Sequence, residues 1–337
     1  MHKGKGEMKM RTTLEQLCNN FIANRDAVKV TFKWENDQII AASATSFLNR
    51  GILADADKLE ECKKLLKENT GVLSNFRGNV EVPMVVQLAM AEVPADKLKK
   101  TLKIYESLKQ EFRGSEYLVL AAAVMADMVS DEQVVKMTEK ARTIYNKMKK
   151  DHPFLTSSED SVYAVLMAVS EKSDEDLMEE MEVCYKKLKE SFSASNEVQA
   201  LAHVLSIAEG NAVEKCNKVV ALYEALKVDG VKYGKYHELV VLASLAMLPV
   251  EQSVLVEDIK AVDAFLNEQK GYGGFFGLDK KTRLMHAAMI VSCDYVKNDN
   301  ADIAAMTGTL AAVAAQQAAM CAVIAATAAS TAASASN

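Results

Sequence analysis

The six cysteines, Cys18, Cys62, Cys184, Cys216, Cys293 and Cys321, would supply thiolates to a metal centre or a nucleophile if they were grouped. They stand tens of residues apart, with no C-x-x-C pair. A structural zinc site needs close ligand pairs, so no zinc or other metal site is expected. Isolated cysteines inside helical patterns behave as small buried hydrophobes. The five histidines are His2, His152, His203, His237 and His286. His203 and His286 fall inside apolar helical stretches, where a histidine is usually a core residue. No Ser-His-Asp or Cys-His order emerges, so nucleophilic catalysis lacks a constellation to carry it.

Glycine is densest at Gly271-Tyr272-Gly273-Gly274-Phe275-Phe276-Gly277. The cluster follows a helical pattern instead of a strand and matches neither a P-loop nor a dinucleotide fingerprint, so no nucleotide or other cofactor is expected. A wide turn with Tyr272, Phe275 and Phe276 plugging the end of the fold is the plain expectation. The functional one is a pocket mouth, because glycines let backbone approach a ligand and aromatics line pockets. Arg283 and His286 lie close after it on one helical face, and with Tyr272, Phe275, Phe276 and His237 they form the candidate pocket. Two FRG triplets place Arg77 and Arg113 in loops after helices. There they are expected to cap carbonyls or to project together as a carboxylate clamp.

A third set is acidic. Glu81, Glu116, Glu159 and Glu197 follow Asn79, Ser115, Ser158 and Asn196, and Glu238 holds the same place in a fifth segment. Ser or Asn followed by an acid is an N-cap and first-turn pattern. The sharper reading makes these five a row along one edge that meets a basic partner.

The elements that must position these residues repeat. Marker aromatics Tyr105, Tyr145, Tyr185, Tyr223 and Phe265 recur at spacings of 40, 40, 38 and 42, each on a lysine-rich amphipathic helix that ends in a Phe- or Tyr-containing loop. More uniformly apolar helices alternate with them, for example EYLVLAAAVMADMV at 116–129 and EVQALAHVLSIAE at 197–209. A helix apolar nearly all round is buried between neighbours. The expected fold is all-α: tandem αα-hairpins of about 40 residues forming an α-solenoid or α/α-toroid-like array. The organisation is a helical lead-in over 1–36, the hairpin array over 37–298, and an alanine-rich helix with a frayed tail over 299–337.

Composition agrees. Four prolines and 14 glycines in 337 residues leave little turn chemistry for an all-β fold. A net charge of −6 from 40 basic and 46 acidic side chains gives no support to nucleic-acid binding. The N-terminus lacks the apolar core of a secretory signal, which makes the cytoplasm the expected location. The uncharged stretch from Ile303 owes its hydrophobicity to alanine and carries Gln316 and Gln317 mid-span. It argues against a membrane span and for a close-packed helix, with homo-oligomerisation as its functional alternative.

The segments LSNFRGNVEVPMVVQLAMAEVP (73–94), FRGSEYLVLAAAVMADM (112–128), TRLMHAAMIV (282–291) and AAVAAQQAAMCAVIAA (311–326) resemble an uncharacterised bacterial family, domain of unknown function 4003. The resemblance covers roughly residues 15–335. It implies a helical fold, a bacterial cytoplasmic origin and a tail that belongs to the fold, and it carries no activity or site residues. The residues therefore lean away from an enzyme and toward a non-enzymatic scaffold that holds a protein or peptide on helical repeats. The alternative is a toroid-like binder of a small, apolar molecule, or an enzyme, with its cavity near the GYGGFFG loop.

Overall fold

A computed structural model describes residues 10–193, 195–274 and 277–298 and positions 320, 321, 323 and 324. The described residues form fourteen α-helices and two short 3-10 turns, with no strand. The helices are α1 (Thr12–Thr31), α2 (Asp37–Arg50), α3 (Ala56–Asn69), α4 (Glu81–Ala89), α5 (Pro94–Glu111), α6 (Glu116–Met128) and α7 (Val134–Asp151). They continue as α8 (Asp160–Val169), α9 (Asp174–Leu188), α10 (Asn196–Ile207), α11 (Ala212–Val228), α12 (Leu239–Ala246), α13 (Gln252–Asn267) and α14 (Lys280–Asn298). None is long and apolar enough to cross a membrane.

Local chemistry sets many of the boundaries. Side chains of Asn36, Asp55, Ser115, Ser173, Ser195 and Asn211 accept backbone N–H bonds that open α2, α3, α6, α9, α10 and α11. Ser115 caps as the sequence pattern expects. At α10 the cap is Ser195, one residue before the expected Asn196, while Asn79 and Ser158 cap no α-helix. Near Ser158 the local bond is made instead by Asp160, whose carboxylate accepts from Ser157 N–H at 2.7 Å. Gly51 ends α2 in the left-handed region at φ 70°, which a side chain would resist.

Odd and even helices differ in composition and position. In α6 every residue from Leu118 to Ala126 is buried, whereas lysine-rich α5 buries only a stripe of five. The even helices pack on one another as α2–α4, α4–α6, α6–α8, α8–α10, α10–α12 and α12–α14, and α14 also packs on α2. The odd helices follow the same order, and α13 and α14 pack on α1. Each even helix thus has protein on nearly every side, which accounts for its lack of a polar face. The described part of the lead-in, residues 10–36, contributes α1, which pairs with α2 as other odd helices pair with their successors.

The marker tyrosines have a shared job. Phe76 meets Tyr105, Phe112 meets Tyr145, His152 meets Tyr185 and Phe192 meets Tyr223, all edge-on with ring centroids 4.7–5.4 Å apart. In each pair, the aromatic that closes one odd helix docks on the latter half of the next odd helix. The geometry suits the aromatic quadrupole and contributes about 0.5–1.5 kcal/mol per pair beyond area burial. These contacts bring the odd-to-even loops to one end of the molecule.

Lysines serve the opposite end. Lys58, Lys100 and Lys140, in the first halves of α3, α5 and α7, donate to the Ala91, Val129 and Ser170 carbonyls just past the ends of α4, α6 and α8. Lys172 and Lys215 do the same for the end of α10, bonding the Ala208 carbonyl and sharing Glu180. Cations on the last carbonyls of a helix offset its dipole and satisfy acceptors that lack a helical partner.

Candidate functional site

The even helices begin at the end where the aromatic pairs lie, and there the five glutamates diverge. Glu81 pairs with Arg77 at 3.5 Å and Lys67 at 3.8 Å. Glu238 folds back into its own loop, where its Oε2 accepts from Tyr236 N–H at 3.1 Å. Gly234 leaves room for it, since a Cβ there would overlap the Glu238 carboxylate and make it shift. Glu116, Glu159 and Glu197 stand at or near the starts of α6, α8 and α10. Burial raises the Glu116 and Glu159 carboxyls above their ordinary range, and the Glu197 charge adds to the effect on Glu159.

Between them lies a residue that the cap pattern hides. Asp160 is buried, and its carboxyl is pushed up to about 7 by burial, opposed by the Ser157 N–H bond and reinforced by Glu159. Its Oδ1 lies 3.6 Å from Nδ1 of His203, which is fully buried in α10 with its ring 5.2 Å from that of Tyr163. Among the described residues, neither His203 nitrogen has a hydrogen-bond partner, and neither does the neighbouring Gln199 Oε1. Burial first, and the His152 charge second, push His203 down to about 3, so the imidazole is neutral at pH 7. A buried polar group without a partner is costly and marks a place that another molecule's donors and acceptors can complete.

Four described residues of the alanine-rich segment, Met320, Cys321, Val323 and Ile324, are helical and buried. Burial and then the charges of Glu159, Asp160 and Glu116 drive the Cys321 thiol well above its usual range, which sets Cys321 beside this acidic cluster. The remainder of the segment 299–337 lies outside the described residues.

The candidate pocket at the glycine cluster is occupied by its own side chains. Tyr272 Oη and His286 Nδ1 are 2.8 Å apart, their rings meet edge-on, and Phe21 of α1 packs against both. Arg283 donates to Asp263 at 2.7 Å and to Asn267 at 2.6 Å. His237 faces Glu238 at 3.6 Å, its ring a quarter exposed, while its charge reaches His286. Phe275 and Phe276 lie outside the described residues. Together with Arg11, which pairs with Asp258 and Asp294 at 2.7 Å each, Tyr272 and His286 form the seam joining the first and last helix pairs.

The two FRG arginines do not converge. Arg77 donates to the Lys67 and Thr70 carbonyls at 3.2 Å, closing α3, whereas Arg113 is exposed. Their glycines differ as well. Gly78 sits at φ +71°, whereas at Gly114 a Cβ would press on Tyr105 Oη at 3.0 Å and make the ring give way. Among the described residues, no three His, Cys, Asp or Glu side chains are grouped to hold a metal.

Asp160 and Tyr163 were not singled out from the sequence. Their one local signal is the paired acid Glu159-Asp160, in which the first residue serves the helix start and the second turns inward. The partnership of Asp160 with His203 spans 43 residues and has no local signature.

A Bacillus subtilis (strain 168) protein, the uncharacterized protein YeaA, is 21% identical over 270 residues, covering 77% of this chain and 80% of its own length. No solved structure matches. A family model matches residues 24–319, so the chain belongs to the family described as protein of unknown function DUF4003.

Proposed function

We propose that the chain is a closed array of αα-hairpins that binds a small organic molecule in its interior, near the starts of α6, α8 and α10. The observation that carries this reading is the packing of α14 on α2, with α1 against α13 and α14. An array whose last pair meets its first has no open concave face for an extended peptide. Its even helices face inward instead, toward the polar cluster beside which Cys321 of the alanine-rich segment is also buried. There His203 offers two unbonded ring nitrogens, Gln199 an unbonded carbonyl oxygen, and Asp160 a carboxyl that exchanges its proton near neutrality. Tyr117 and Tyr163 add aromatic surface. This donor set suits a molecule with an apolar body and hydroxyl or amine groups.

Native mass spectrometry of the gently purified protein tests the reading. The expected result is a non-covalent small-molecule mass on the wild type that is lost in His203→Leu, with helicity unchanged by circular dichroism. If His203→Leu retains the same bound mass, or if the wild type is bare and no member of a panel of small amines and polyols raises its Tm, the interior site is wrong.

A peptide-holding role keeps one observation in its favour, a groove of about 650 Å³ between α11, the end of α12 and α13, lined by Leu222, Leu248, Val250 and Leu255. A peptide that binds there would be lost on substitution of the partly exposed Val250→Asp and retained on His203→Leu.

A further inference from the structure

Large apolar side chains that are almost fully in water are costly, and a scattering of half-exposed ones is ordinary. In this protein the extreme cases are not scattered. Five described side chains are at least 85% exposed: Trp34 at 96%, Val72 at 85%, Leu73 at 99%, Phe154 at 98% and Val228 at 86%. Trp34 lies between α1 and α2, Val72 and Leu73 between α3 and α4, and Phe154 between α7 and α8; Val228 is the last residue of α11. All five therefore belong to odd-to-even connections, which the aromatic pairs and the Lys63–Phe32 contact gather at one end. At the opposite end the corresponding side chains, Ile52, Leu53 and Val93, are better covered.

Charge accompanies the apolar tips. Lys33 adjoins Trp34, Lys149 and Lys150 precede Phe154, and Lys232 and Lys235 follow Val228. All five lysines are exposed, and no ion pair holds any of them among the described residues. Of the acids nearest these tips, Asp37 is held by Lys29 and Asp229 by Lys260, while no ion pair among the described residues holds Glu35 or Asp151, so the five lysines face two unpaired acids.

We infer that this end docks on an anionic lipid surface, with Trp34, Leu73 and Phe154 entering the headgroup region and the unpaired lysines lying above it. Two features favour lipid over a protein partner. The apolar tips sit on separate loops with no described groove joining them, whereas a protein interface needs one contiguous, shape-matched patch. The pairing of exposed Trp and Phe with Lys is the side-chain set that partitions to a membrane interface and is drawn to anionic headgroups. Docking of this kind needs no spanning helix and is independent of the interior ligand.

Trp34 is the chain's single tryptophan, so its fluorescence reports this contact alone. The full chain is mixed with vesicles of phosphatidylcholine alone, or of phosphatidylcholine with phosphatidylserine, at low and high salt. The expected result is sedimentation with the phosphatidylserine vesicles, a blue shift of Trp34 emission, and quenching by brominated acyl chains, all weakened by salt. Phe154→Ser and Leu73→Ser should each reduce partitioning about tenfold, the loss expected for one removed apolar anchor. Lys149→Glu with Lys150→Glu should reduce it at least as much, and Leu53→Ser at the far end should leave it unchanged. Because all four tip positions are exposed, these variants are expected to fold. The proposal is overturned if the chain stays in the supernatant with unshifted Trp34 emission, or if Leu53→Ser has the same effect as Phe154→Ser. It is also overturned if sedimentation velocity shows a dimer that Phe154→Ser dissociates, because a second copy then covers this end.

Discussion

The two ends of the even helices handle charge in opposite ways. Where α4, α6, α8 and α10 finish, lysines lie against the carbonyls just past the helix ends, and Lys172 and Lys215 also share Glu180. Where α6 and α8 begin, Glu116, Glu159 and Asp160 are wholly or partly buried, and among the described residues no cation pairs with them and His203 has no hydrogen-bond partner. One end is electrostatically complete and built for stability. The other carries polar groups whose partners are missing, and evolution tolerates such cost mainly where another molecule supplies them. The contrast is the strongest reason to look for function at the second end.

Breaking the complete end should have the largest effect. Lys215→Ala removes a buried ammonium bonded to Glu180 and to the Leu205 and Ala208 carbonyls. It is expected to cost about 3 kcal/mol, read from urea unfolding at neutral pH. Lys103→Ala, which removes only the exposed pair with Asp131, should cost little.

The incomplete end should reveal itself through pH. The folded pKa of Asp160 is raised to about 7, so its contribution favours folding below the carboxyl's unfolded pKa near 4 and is lost as pH rises toward 7. Asp160→Asn should remove a decline on the order of 3 kcal/mol across that window, measured by denaturation at successive pH values. His203 has the opposite sign. Its folded pKa is lowered to about 3, so its contribution is present above the unfolded value near 6.5 and is lost as pH falls below it. His203→Leu should therefore flatten the acid limb. At pH 7 it should be neutral or stabilising by about 1 kcal/mol, since it removes two buried groups that bond nothing. A strongly destabilised His203→Leu would mean that the histidine is fully used in the fold and that the contrast between the two ends is false.

The smallest effect sharpens the comparison by testing the aromatic series beside the incomplete end. A double-mutant cycle on Phe112 and Tyr145, each replaced by Leu, should give a coupling of about 1 kcal/mol. Coupling near zero would reduce the recurring tyrosines to area burial alone.

Several of these features can be traced to local pattern. The apolar spacing of the helices, the Ser115 cap and the recurrence of Tyr105, Tyr145, Tyr185 and Tyr223 are all legible along the chain, because each arises within one or two turns or repeats at a fixed interval. The role of the tyrosines is not: whether Tyr145 meets Phe112 depends on how two helices are rotated against each other. The five glutamates of the acid row diverge for the same reason. Five glutamates at like positions look equivalent in sequence, yet Arg77 claims Glu81 and the Gly234 turn admits Glu238, while Glu116 and Glu159 receive no cation.

What the sequence determined alone is the all-helical character, the division into lysine-faced and apolar helices, and the family. Those follow from side-chain volume, polarity and short-range periodicity, which act between near neighbours. Only the tertiary structure decided that α14 returns to α2, that Asp160 faces His203, and that Trp34, Leu73 and Phe154 share one end. Each of these depends on small rotations between successive helices accumulating over the whole chain, and no local spacing encodes their sum.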